Sequence, residues 1–82
     1  MRKNSSRASP EVIASVKKVV KDTGKPYAVT TAKGYRGSIT FSLSSDVWEE
    51  EDHPKEGAEV VLTNIQPTGR GWRAYRAHFR KA

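Results

Sequence analysis

Four clusters of Gly, Pro and short polar residues punctuate this chain, and most of the pieces between them are short enough to read as small strands. They are Asp22-Thr23-Gly24-Lys25-Pro26, Lys33-Gly34-Tyr35-Arg36-Gly37, His53-Pro54-Lys55-Glu56-Gly57 and Gln66-Pro67-Thr68-Gly69-Arg70-Gly71. Gly supplies positive φ and Pro fixes φ while removing a donor, so each cluster turns the backbone. Between them lie runs rich in Val, Ile, Thr and aromatics: 27–31, 38–44, 59–65 and 72–80. The run 38–44 alternates strictly, with Ile39, Phe41 and Leu43 on one face and Ser and Thr on the other. That period of two predicts half-buried strands in an antiparallel sheet or barrel. In an 82-residue chain this means one small domain with a thin core.

Residues 10–22 read two ways. Ser9-Pro10-Glu11 is a good helix start, and Val12, Ile13, Val16, Val19 and Val20 would form one apolar stripe. The same segment is rich in β-branched residues, and Val12, Val16 and Val20 also fit a strand. Local pattern leans to a helix packed on a four-stranded sheet. That arrangement would leave an open sheet edge.

As five strands, the pieces resemble a known family. Residues 14–24 followed by Pro26-Tyr27-Ala28-Val29 look like the first hairpin of an OB-fold. The same segment resembles the cold-shock domain and the RNA-binding repeats of the bacterial ribosomal mRNA-binding protein. Gly37-Ser38-Ile39-Thr40-Phe41-Ser42-Leu43-Ser44 is similar to the third strand of those repeats, and 54–62 to the entry of their fourth. Gly71-Trp72-Arg73-Ala74-Tyr75-Arg76-Ala77 sits where the closing strand would be. The resemblance implies a five-stranded OB-type antiparallel barrel over 12–82, and it selects a strand for 12–21; residues 1–11, polar, basic and low in apolar content at their start, read as a disordered tail. The chain departs from the family where cold-shock domains carry stacking side chains: the matching positions are Lys18, Ser38 and Thr40.

Charge is distributed unevenly. The formal net charge is +6, yet residues 46–59 hold seven acids against Lys55, so the rest of the chain is +12. A basic surface with one acidic side favours a polyanionic partner, and nucleic acid is the ordinary one for a small basic domain. Such binding needs cations for phosphates and flat side chains for bases. The candidates are Lys17, Lys18, Lys25, Tyr27, Tyr35, Arg36, Arg70, Trp72, Arg73 and Arg76. If Tyr75, Ala77 and Phe79 face the core, then Trp72 and Arg76 face outward, with Trp72 a stacking platform between arginines. Otherwise Trp72 plugs one end of the barrel. Tyr35-Arg36, between Gly34 and Gly37, would sit at a loop tip as a base-stacking finger or a solvated turn.

Other chemistry has little support. The chain has no cysteine, hence no disulfide framework, thiolate metal site or cysteine nucleophile. The acidic run 49–53 fits no metal-loop spacing and reads as a solvated loop, with a short helix opening near Asp46. His53 and His78 are far apart, and no P-loop or dinucleotide glycine motif is present. No run of about 18 apolar residues exists. The reading is therefore a cytoplasmic, monomeric binder of single-stranded RNA or DNA, RNA before DNA, with low sequence specificity. No catalysis, cofactor, metal or membrane is expected. The alternative is an OB-type protein-interaction module docking on a ribonucleoprotein or an acidic protein.

Overall fold

The computed structural model describes residues 11–21 and 24–80. The tail expected at 1–11 lies outside them except for Glu11. Five strands form in order: β1 (Val12–Val20), β2 (Tyr27–Thr31), β3 (Ile39–Ser42), β4 (Glu59–Pro67) and β5 (Trp72–Phe79). They close into a barrel in the order β1-β2-β3-β5-β4, with β4 returning to β1. Such a small five-stranded closed barrel is consistent with an OB-like fold. Of the segment 10–22 for which a helix was considered, the described residues 11–21 contain no helix, and Val12–Val20 are a strand. Tertiary pairing on both sides decides this segment: Val12–Ser15 pair with β4, and Ser15–Val20 pair with β2. No sheet edge is then left at β1, which offsets the weak local preference for a helix.

A register shift between Val16 and Lys18 leaves Lys17 as an extra residue in β1. There the strand bends from one partner to the other, as bulges do. Val16 is bonded through its backbone to the 57–58 segment, accepting from Gly57 N–H at 2.8 Å and donating to Ala58 O at 2.9 Å. Four pairings are antiparallel, and the β3–β5 pair, Ile39 with Trp72 and Thr40 with Arg73, is parallel. That closure puts the two strands in tight contact. A Cβ on Gly71 would stand 2.7 Å from the Ser38 carbonyl oxygen.

The core draws on every strand: Val16, Ala28, Ile39, Phe41, Val60, Leu62, Ala74 and Ala77 are all buried. Alanines at 14, 28, 74 and 77 let the strands curl around a narrow interior. Phe41, Ile39 and Leu62 fill it, each contributing about 1.5–3 kcal/mol. Thr30 is fully buried and donates its hydroxyl to Ile39 O at 2.8 Å, so this buried polar side chain is satisfied.

Trp48 closes one end. The helix expected near Asp46 is instead a turn, and Trp48 bridges in parallel to Ala77. Its ring stacks on Phe41 with centroids 5.5 Å apart and meets Phe79 edge-on at 4.9 Å. Its Nε1–H donates to Asp52 O at 2.8 Å. An aromatic set in an acidic loop gives no periodic signal, so only the fold shows it to be core.

The β5 orientation expected from alternation is also corrected. Ala77 is inside, but Tyr75 is 42% exposed and Ala74 takes the inward position. Opposite Tyr75 stands Asn64, with φ of 55°. Both strands leave strict alternation at this pair while their register is preserved on either side.

Candidate nucleic-acid interface

The alternation of β2 and β3 that buries Ala28, Thr30, Ile39 and Phe41 turns Tyr27, Val29, Thr40 and Ser42 outward. Register then fixes their neighbours. Lys18 of β1 stands opposite Val29, Thr40 is paired with both Val29 and Arg73, and Arg73 is paired with Gln66 of β4. The outer face of β1-β2-β3-β5 thus carries a transverse row from Lys18 to Arg73.

Two shallow depressions lie on this face and share Tyr27 and Thr40. One, of about 270 Å³, is lined by Lys25, Pro26, Tyr27, Thr40, Ser42 and Arg73. The other, of about 320 Å³, runs past Val29 and Ser38 to Arg70 and Trp72. Neither contains a carboxylate. Arg70 and Arg73 have no ion-pair partner among the described residues. Cations, two aromatic rings and the hydroxyls of Ser38, Thr40 and Ser42 therefore share one groove. The hydroxyl set was legible as the outer half of the 38–44 alternation, although sequence reasoning did not single it out.

The groove ends at a negative charge. A third depression continues it from Lys25, Pro26 and Ser42 to Ser44, Asp46 and His53. The Ser44 hydroxyl donates to the Asp46 carboxylate, and this bond, with a backbone bond, holds its pKa below the ordinary carboxylate value. Asp46 thus stays ionised to lower pH than a free carboxylate, and whatever it contributes by its charge is lost only as pH falls through that lowered value. The groove therefore runs from cationic residues, Arg70, Arg73 and Lys25, to a carboxylate at Asp46.

Trp72 and Tyr35 hold positions other than the free platform and free finger considered above. Trp72 is half-buried against the core, and its Nε1–H donates to Arg36 O at 3.0 Å. Tyr35 meets it edge-on, centroids 5.0 Å apart. The loop is folded down on the barrel end by its own geometry: Gly34 and Gly37 take φ of 88° and 79°. Arg36 is exposed beside this end, and Gly37 faces the Arg70 backbone, so the 32–38 loop and the β4–β5 hairpin meet there. Trp72 still presents part of its surface to the groove.

Arg76 is not in the groove. It forms an ion pair with Glu49 at 2.5 Å. Lys17 is exposed at the β1 bulge, beside the row and outside the depressions. The acidic loop turns toward β5: Glu50 accepts from Phe79 N–H at 3.2 Å, while Glu59 pairs with Arg80 at 2.8 Å. Among the described residues no group of three or more His, Asp or Glu is placed to hold a metal. A wider depression, about 780 Å³, mixes Lys21 and Lys55 with Glu51 and Asp52 and so offers no uniform field.

Comparison with protein-family models, with curated proteins and with solved structures finds no match to this chain.

Proposed function

We propose that this protein binds single-stranded nucleic acid, RNA in preference to DNA, along the β2-β3-β5 groove and with little sequence specificity overall. The observation that carries the reading is the convergence of Lys25, Tyr27, Arg70, Trp72 and Arg73 on a groove without a carboxylate. Phosphates are held by Arg70, Arg73, Lys25 and Lys18, and a base stacks on Tyr27, a contact of about 1–3 kcal/mol. The hydroxyls of Ser38, Thr40 and Ser42 line the floor, where they can meet a ribose 2′-OH, the group that separates RNA from DNA. The protein acts as a binder and not as a catalyst.

A second reading, docking of a protein partner, has one observation in its favour. Ile13, on β1 outside the groove, is 47% exposed, although Val61, its register partner, is buried at 7%. Titration of an unstructured oligoribonucleotide at several salt concentrations separates the two. Three to four phosphate contacts give an affinity that falls with salt, with a logarithmic slope of about −0.7 per contact. Arg73→Ala and Lys25→Ala each weaken binding, whereas Arg76→Ala leaves it nearly unchanged because that guanidinium already faces Glu49. No binding at about 50 mM salt, where phosphate contacts are strong, excludes the nucleic-acid reading.

A further inference from the structure

The β4–β5 pair carries an exposed patch that the groove does not include. Tyr75 is turned outward at the one place where both strands leave alternation. Continued alternation from Ala77 would have placed its ring inside. Instead Ala74 and Ile65 fill that layer, and Asn64 holds a left-handed conformation opposite the ring. The chain gives up burial of a large ring and accepts an unfavoured φ at a residue other than Gly. Arg73, two residues before Tyr75 and on the same outer face, lines the groove, so patch and groove are continuous.

Polar groups beside the ring are ordered. Gln66, paired with Arg73, donates from Nε2 to Asn64 Oδ1 at 3.1 Å. Both residues are exposed on β4, where the β4–β5 register sets them across from Tyr75 and Arg73. The bond leaves the Asn64 Nδ2 amino group and the Gln66 Oε1 oxygen outside it, on two exposed residues, as donor and acceptor for a ligand. A flat ring beside a fixed donor and acceptor is what an unpaired base needs: a surface to stack on and partners for its edge.

We infer that Tyr75, Asn64 and Gln66 form a base-reading subsite, which stacks one unpaired base on Tyr75 and reads its edge through the two amides. The inference rests on the nucleic-acid reading and goes beyond it, because it adds discrimination at one nucleotide to a groove that otherwise holds phosphates. Arg73 lies about 6.7 Å from Tyr75 along the strand. It takes the phosphate of the nucleotide whose base enters the subsite.

The test uses the full chain and equal-length, fluorescently labelled oligo(A), oligo(C) and oligo(U). Wild type is expected to rank the three with at least about a fivefold spread, the discrimination an amide pair gives. Asn64→Gly keeps the positive φ without strain and removes one amide. Combined with Gln66→Ala, it is expected to collapse the spread while the salt dependence stays as in wild type. Tyr75→Ala is expected to weaken all three about 5- to 100-fold, and Tyr75→Phe to retain affinity. If Tyr75→Ala leaves RNA affinity unchanged, or the double variant keeps the wild-type ranking and spread, the subsite is overturned. In those cases the salt-dependent groove binding still stands. If no oligonucleotide binds at low salt, both readings fall together.

Discussion

Single residues decide how tightly this barrel closes. Gly71 sits where β5 comes alongside β3, and any side chain there would press on the Ser38 backbone. Trp72 N–H donates to Ser38 O at 3.0 Å across the same contact, so the neighbour is backbone and cannot swing away. Gly71→Ala is expected to destabilise the fold by about 1–3 kcal/mol, as forced overpacking does. Gly69→Ala, with nothing within 4 Å of an added Cβ, is the control and is expected to change little. Urea denaturation of both variants checks this by their midpoints. At this scale the sequence was only partly legible. Gly71 was visible as a turn residue but not as a close approach. Trp48 was hidden because its neighbours are acids, and its role depends on Phe41 and Phe79, far away in the chain.

At the scale of elements, β1 is the strand that holds the barrel shut. Its first half belongs to β4 and its second half to β2, and Lys17 is the extra residue at the bend. Removing Lys17 would leave Val16, Lys18 and Val19 in an unbroken ladder opposite Thr30, Val29 and Ala28, with every side chain on its present face, and would take away the local bend that carries β1 from β4 to β2. Deletion of Lys17 is expected to lower the midpoint of the thermal transition, because β1 must then meet both partners without its bend; a deletion variant that melts like wild type would show that the bulge is dispensable. The strands β2, β3, β4 and β5 were legible from turn clusters and alternation. For β1 local pattern leaned to a helix, and only the family resemblance and the need to cover an open edge pointed to a strand. The irregularity at Asn64 and Tyr75 was not legible at all. It arises where β4 and β5 twist together, and an Asn in a strand pattern does not announce a positive φ.

For the whole molecule, the +12 of the basic segments and the −6 of residues 46–59 acquire a geometry. Glu49 and Glu59 are matched with Arg76 and Arg80. These exposed pairs are worth little to stability, about 0–1 kcal/mol each. They do remove two of the arginines from the field that a polyanion would feel. Arg70 and Arg73, without ion-pair partners among the described residues, line the β2-β3-β5 groove with Lys25, and Asp46 stands where that groove ends. The sequence showed which residues could bind but not which of them share a face: Arg76 and Arg73 look equivalent in the pattern Arg-x-x-Arg and part company only in the fold.

The most direct measurement is a set of amide chemical-shift changes on adding an unstructured oligoribonucleotide to the labelled protein at low salt. The largest changes are expected at Tyr27, Val29, Thr40, Ser42, Arg70, Trp72 and Arg73, with Ile13, Glu59 and Val61, outside the groove, nearly still. Changes centred on Ile13, Val61 and His78, or none at any strand, would contradict the proposed groove.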